Sequence, residues 1–266
     1  MDKRGSIEIE VEEGKKVYFV SDQHFGSPDE VSSKVREKIF VDFLDEIKEE
    51  AQVLFLLGDL FDFWHEYKTV VPKGFVRVLG KLAELSDKGI RIYFFTGNHD
   101  LWMRDYLQNE IHAVLLREEQ EFTINGKAFF IAHGDGLGPG DFGYKRMKKL
   151  FINPVARWFF RWLHPDIGMA LGNYLSRKNR LISGEEDVKF LGTDKEWLII
   201  FSEEKLNEKH YDYFIYGHRH LPMDLEIGEH KNSHYINLGD WITYYTYAVF
   251  DGKELNLLSF VEKESD

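Results

Sequence analysis

Along the first hundred residues, apolar runs of strand length alternate with apolar positions at helical spacing. Val17-Tyr18-Phe19-Val20 ends at Asp22-Gln23-His24, and Val53 to Leu57 ends at Gly58-Asp59, with Asp62 three residues on. Ile90 to Phe95 runs into Thr96-Gly97-Asn98-His99-Asp100. Short runs that are apolar on both faces read as strands buried in a parallel sheet. Between them, Val35, Ile39, Phe40, Phe43, Leu44 and Ile47 predict a helix capped by Ser32 or Ser33. Phe75, Val78, Leu79, Leu82 and Leu85 predict a second, stopped by Gly89. The order is βαβαβ, which favours a parallel core.

The pattern then changes. Phe122–Ile124 and Lys127–Ala132 flank Asn125-Gly126, a strong signal for a hairpin with a type I′ turn, and the second arm ends at His133-Gly134-Asp135. A helical block follows, with Asn153 as N-cap, Pro154 at the first helical position and an end near His164-Pro165. Asp166 is expected to cap the next helix, which carries Ile167, Ala170, Leu171, Tyr174 and Leu175 on one face. A later helix is marked by Trp197, Leu198, Phe201 and Leu206. The strand at Tyr213–Tyr216 ends in Gly217-His218-Arg219-His220, and four further short strands are expected, centred on Leu225–Ile227, His234–Asn237, Tyr244–Phe250 and Leu255–Val261. Their spacing has an antiparallel look.

Composition narrows the class. The 266 residues include 43% hydrophobic and 30% charged, as in a soluble globular chain, enough for one large α/β domain with an insertion. No apolar stretch reaches transmembrane length, and the N-terminus has no apolar signal segment. With no cysteine, thiolate ligands are excluded and a cytoplasmic address is the expectation. A net charge of −12 argues against nucleic acid as a partner. The charge is uneven, however: Tyr144 to Arg180 holds nine basic residues and one acidic, which points to a local anionic partner.

Five segments share one habit: a strand ends and metal-type ligands follow at once. They are Asp22/His24, Asp59/Asp62, Asn98/His99, His133 and His218/His220. A lone histidine at a strand end is usually a hydrogen-bonded structural residue, and Asp-x-His arises often by chance. Five such segments, all at strand ends, are not independent accidents. Imidazole, carboxylate and amide ligands without sulfur suit two divalent transition ions, with Mn²⁺ the first choice and Fe or Zn as alternatives. Two such ions clamp a phosphate and acidify a bridging water, whose hydroxide attacks phosphorus in line.

The series Asp22-x-His24, Gly58-Asp59-x-x-Asp62, Gly97-Asn98-His99-Asp100, His133-Gly134-Asp135 and Gly217-His218-x-His220 resembles the calcineurin-like metallophosphoesterase superfamily from about residue 17 to 245. The resemblance implies an α/β (α+β) fold: a four-layer α/β/β/α sandwich of two mixed sheets, one domain over 1–266 with a helical lid inserted at 139–182. It implies that Asp22, His24, Asp59 and His220 hold one ion and that Asp59, Asn98, His133 and His218 hold the other. His99, backed by Asp62, then stands over the leaving group as electrostatic stabiliser or general acid. A narrower resemblance is to the UDP-2,3-diacylglucosamine hydrolases of lipid A synthesis, which release UMP and 2,3-diacylglucosamine 1-phosphate. It rests on Phe61-Asp62-Phe63-Trp64, on the step from His133-Gly134-Asp135 into a basic, aromatic insertion, and on Ser176-Arg177-Lys178-Asn179-Arg180. In the better-known members of that family the position of His99 is an arginine, which grips phosphate as a fork; a histidine can also pass a proton.

For the insertion, the stripe Val155/Phe159/Trp162 is expected to be core packing, with the surplus aromatics left for acyl chains or for an anionic membrane surface at the cytoplasmic face. Arg177, Lys178 and Arg180 are either a solvated helix end or contacts to a lipid-linked sugar-nucleotide substrate, and Tyr144 and Ser176 are weaker candidates for the same role. Asp135 either orients His133 or merely ends a strand. Rival functions are hydrolysis of another diphosphate or phosphomonoester, and a scaffold of the same fold without catalysis.

Overall fold

The computed structural model describes residues 5–139, 145, 148–149, 151–187, 189–190 and 192–261, with the helical backbone alone over 178–187. A short strand that the hydrophobic pattern does not announce, β1 (Ile7–Ile9), precedes β2 (Lys16–Val20). Helix α1 (Glu30–Ile47) is capped by Asp29 rather than by Ser32 or Ser33: its carboxylate accepts from the N–H groups of Val31 and Ser32. Ser33 is drawn inward instead, where its hydroxyl accepts from Gly26 N–H at 2.7 Å. β3 (Ala51–Leu56), α2 (Val76–Asp87) and β4 (Arg91–Phe95) follow as the spacing predicts. A short α3 (Tyr106–Ile111) and β5 (Val114–Leu116) come next, then the hairpin β6 (Gln120–Ile124) and β7 (Lys127–Ile131). Asn125 and Gly126 both have positive φ, at 48° and 77°, as a type I′ turn requires.

After β7 come α4 (Pro154–Phe160), α5 (Pro165–Asp187) and α6 (Trp197–Leu206). Asn153 caps α4, accepting from Val155 and Ala156, whereas Asp166 lies within the first turn of α5 rather than at its cap. Strands β8 (Tyr213–Tyr216), β9 (Pro222–Ile227), β10 (Ser233–Leu238), β11 (Thr246–Phe250) and β12 (Leu255–Ser259) complete the chain.

The strands form two six-stranded mixed sheets, ordered β12-β11-β2-β3-β4-β5 and β1-β6-β7-β8-β10-β9. β2, β3 and β4 are parallel neighbours, as are β7, β8 and β10. The C-terminal end is therefore mixed rather than uniformly antiparallel. Alternation explains the layers. Phe19, Phe55 and Tyr93 point into a core shared with Phe122, Phe129 and Ile215 of the second sheet, while Tyr18, Leu54 and Phe94 point the other way, onto α1–α3. The outer face of the second sheet, through Phe214 and Tyr216, packs on Leu198 and Ile199 of α6. Helices, sheet, sheet and helix make the expected four layers.

One packing expectation fails. Val155, Phe159 and Trp162 are not core: their exposures are 60%, 63% and 74%. The seven-residue α4 instead seats on the body through Phe160, whose ring lies 4.4 Å from Trp102 and 4.9 Å from His65. So short a helix docks through a single inward ring, and its remaining aromatics stay in solvent. Ile167, Tyr174 and Leu175 of α5 are exposed too. Among the described residues, no helix is long and apolar enough to cross a membrane.

Candidate metal centre

The parallel strands of both sheets end at one rim, where open α/β sheets bind their ligands. β2 delivers Asp22 and His24, β3 delivers Asp59 and Asp62, β4 delivers Asn98 and His99, β7 delivers His133, and β8 delivers His218 and His220. All nine converge. Asp22, His24 and His220 offer ligand atoms within 4.8 Å of one another, as do His24, Asp59 and His99, and likewise Asp22, Asp59 and His133. Asp59 belongs to two of these groups, and its Oδ2 lies 3.4 Å from His133 Nε2 and 3.6 Å from His24 Nε2. The amide oxygen of Asn98 sits 3.1 Å from His133 Nε2 and 3.0 Å from His218 Nδ1.

The backbone is distorted to achieve this. Asp22, His24, Asp59, His218 and His220 all have positive φ, half of the ten non-glycine residues in that state among the described residues. Each costs of order 1 kcal/mol or more, a strain that the surrounding structure has to over-determine. The turn is also tight. Gly58 has φ 90°, and a Cβ on Gly97 would lie 2.2 Å from Asp59 Oδ1.

The electrostatics favour a cation. Asp22 and Asp59 are fully buried, and Asp22 Oδ1 has no hydrogen-bond partner. Burial disfavours ionisation of both, yet His220 and His24 hold Asp22 below the usual carboxylate range, and His133 and His99 do the same for Asp59. Burial would push His133 down, but Asp59 and then Asp22 outweigh it and hold it up at about 10. His218, buried and facing His133, is pushed down to about 4. Buried carboxylates, one with an orphaned oxygen, aimed at imidazole nitrogens and an amide oxygen are the donor set that divalent transition ions accept.

Further contacts hold the ligands. His133 Nδ1–H donates to the Leu57 carbonyl at 2.7 Å, which leaves Nε2 directed at Asp59. His99 donates its backbone N–H to Asp59 Oδ1 at 2.9 Å, and its Nδ1 lies 2.9 Å from both the Asp62 carbonyl and Ser176 Oγ. The Asp62 carboxylate is nearer to His24, at 3.4 Å, than to His99, at 3.9 Å, and accepts from Ser176 Oγ at 3.0 Å. Ser176 thus ties α5 to the rim, while Arg177 beside it is exposed. Tyr144 and the side chains of Lys178 and Arg180 lie outside the described residues. Asp135 is bonded to Lys148 Nζ at 2.5 Å.

Two participants escape sequence reasoning. Asp240 lies 3.2 Å from His220 Nδ1 and accepts from three successive backbone N–H groups, so it fixes that ring. The Asn237-Leu238-Gly239-Asp240-Trp241 turn is conspicuous in the sequence, but its partner is 20 residues away in the chain. Asp100 is buried and accepts from Gly97 and Leu60 N–H, which braces the loop; burial, then Asp59, raises it to about 8.

The sequence profile of the calcineurin-like phosphoesterases matches residues 15–222, and the chain belongs to that family. It is a metal-dependent phosphoesterase, with a buried histidine–aspartate centre at the rim of the two sheets. It is 40% identical to a UDP-2,3-diacylglucosamine hydrolase of Porphyromonas gingivalis, over 94% of this chain and 99% of the relative. A protein of the same name from Histophilus somni is 27% identical over 85% of this chain and 92% of its own. Among solved structures, the phosphoesterase Yfce of E. coli aligns with 92% of this chain and 93% of its own, at 18% identity and a TM-score of 0.45.

Proposed function

We propose that the chain hydrolyses the diphosphate of UDP-2,3-diacylglucosamine to UMP and 2,3-diacylglucosamine 1-phosphate, at the cytoplasmic membrane face. The observation that carries this reading is the 40% identity to the Porphyromonas gingivalis relative over nearly the whole of both chains. It is supported by the seat of α5 on His99 through Ser176, which brings the helix bearing exposed Tyr174 and Leu175 against the metal centre, where acyl chains would need apolar cover. On this reading 139–182 is a lid inserted into a single domain.

Asp22, His24, Asp59 and His220 would hold one ion, and Asp59, Asn98, His133 and His218 the other; Mn²⁺ suits such oxygen and nitrogen donors. When bound, the pair supplies positive charge to the phosphoryl oxygens and a water acidic enough to attack near neutral pH. The new bond joins the oxygen of water to the α-phosphorus. The bond from that phosphorus to the bridging oxygen breaks, and this oxygen leaves with the sugar phosphate. His99, with Nδ1 held by the Asp62 carbonyl and Ser176 and Nε2 4.0 Å from Asp59 Oδ2, stabilises the departing oxygen or passes it a proton. Arg177, Lys178 and Arg180 lie on or beside the turn of α5 that bears Ser176, where cations suit a diphosphate.

A second reading is hydrolysis of another nucleotide diphosphate or a phosphomonoester, and what favours it is a histidine at position 99. Parallel kcat/KM measurements on UDP-2,3-diacylglucosamine and deacylated UDP-glucosamine separate the two. The lipid reading expects a preference of at least about tenfold for the acylated substrate; equal rates defeat it. Hydrolysis in ¹⁸O-water then locates the attack, with label expected in UMP.

A further inference from the structure

Away from the metal centre, α4 and the turn after it face the segment before α3 and the end of β5 across an open cavity of about 510 Å³. Arg104 and Arg117 border it from the body, and Arg157 and Arg161 from the helix. The acidic lining residues are Glu66 and Asp105, so four positive charges face two negative ones. Glu66 is already engaged: Oε1 accepts the Trp64 indole N–H and Oε2 the backbone N–H of Asp105, each at 3.0 Å. Among the described residues none of the four guanidinium groups makes an ion pair with a carboxylate. Arg117 donates to the Arg104 carbonyl at 3.3 Å.

Arg157 and Arg161 are half-buried and Arg104 and Arg117 exposed, and Glu66 offsets only part of the repulsion among them, so an anion joining the four would relieve the rest. The local field registers on its neighbours. Burial, then Arg157, Arg104 and Arg161, push His65 down to about 4, so that ring is neutral near pH 7. Burial and then mutual repulsion with Arg117 and Arg104 lower Arg157 as well.

We propose that this cavity binds a phosphate-bearing anion, gripped by the guanidinium forks of Arg104, Arg117, Arg157 and Arg161. The net charge of the wall, +2 with His65 neutral, matches a phosphate dianion. Its several oxygens can accept from four planar forks, whereas a carboxylate satisfies one or two. Trp158 is part of the wall, and Phe159 and Trp162 are exposed beside it, so the phosphate is either a free ion or the head of a phosphomonoester lipid. Arg117 and Arg157 also border a smaller cavity of about 360 Å³ that reaches His133 and Asp135. Of these two cavities Arg104 and Arg161 border the larger and not the smaller, which makes them the residues to change.

The test is calorimetric titration of the metal-loaded protein with inorganic phosphate. Wild type is expected to bind at two sites, and R104Q/R161Q at the metal centre alone, with unchanged turnover of bis-p-nitrophenyl phosphate. Phosphate is expected to raise the Tm of wild type by more than that of the variant. Should the double variant fold poorly, R104K/R161K keeps the charge but loses the forks, and is expected to weaken the second site about tenfold. A single site in wild type overturns the proposal, and so does a variant that binds phosphate as wild type does. Phosphatidylcholine vesicles with and without phosphatidic acid then distinguish the sources. Sedimentation of wild type but not the variant with phosphatidic acid assigns a lipid head group; discrimination by inorganic phosphate alone assigns the free ion.

Discussion

Asp59 Oδ2 lies 3.4 Å from His133 Nε2 while the other oxygen of the same carboxylate accepts the backbone N–H of His99. One buried side chain thereby links the loops after three strands, β3, β4 and β7. Asp59→Ala is expected to lose both ions together and to lower kcat/KM by about 10³-fold or more, in line with losing a principal stabiliser of transition-state charge. Metal analysis beside the rate checks it; retained metal and activity would contradict the bridge.

His99 is held on Nδ1 by the Asp62 carbonyl and Ser176, with Nε2 on the side of Asp59. His99→Ala is expected to keep the metal content and to lower kcat by about 10²-fold or more, the usual share of a positioned acid. Unchanged turnover at saturating substrate would exclude the role.

Gly97 matters for what it lacks. In Gly97→Ala the new methyl meets Asp59 Oδ1 at 2.2 Å, so the carboxylate or its loop must move. Overpacking of this kind costs roughly 1–3 kcal/mol. The expected result is a lower Tm together with weaker metal binding, read by denaturation and metal titration; unaltered metal affinity would mean that the loop yields freely.

His65 gives a pH dependence whose direction can be fixed. It titrates near 6.5 when unfolded and near 4 when folded, because burial and then Arg157 and its neighbours oppose its protonation. Between those values the unfolded chain binds the extra proton, so stability falls as pH drops from 6.5 to 4 and is unaffected by this group above 6.5. Both ring nitrogens lack a hydrogen-bond partner, and the ring packs on Tyr67, Trp102 and Phe160, so phenylalanine is a fair replacement. In phosphate-free buffer, His65→Phe is expected to lose less stability than wild type between pH 6.5 and 4.5, by on the order of 2 kcal/mol. Parallel denaturation curves at the two pH values would refute the assignment.

Much of this was legible in the chain itself, for a physical reason. β2, β3 and β4 are buried on both faces, so their residues are apolar without a break, and the first polar residue after each run stands at the rim where ligands gather. Local chemistry was readable as far as a local rule applied. Asn125-Gly126 and the Asn153 cap obey such rules, whereas Asp29, Ser32 and Ser33 all have capping side chains within five residues, and the sequence does not say which one caps α1. β1 is too short, at three residues, for periodicity to register. Asp240 was illegible because its function exists only once β10 lies beside β8. The stripe on α4 misled because a pattern reports that a helix has an apolar face and not what covers it. There Phe160 takes the inward place, and Val155, Phe159 and Trp162 face water.

Metal stoichiometry bears most directly on the centre itself. After loading with Mn²⁺ and removal of free ion, elemental analysis of wild type is predicted to find two ions per chain, with both lost in Asp59→Ala. A single ion per chain, or two that survive the loss of Asp59, would contradict a shared carboxylate.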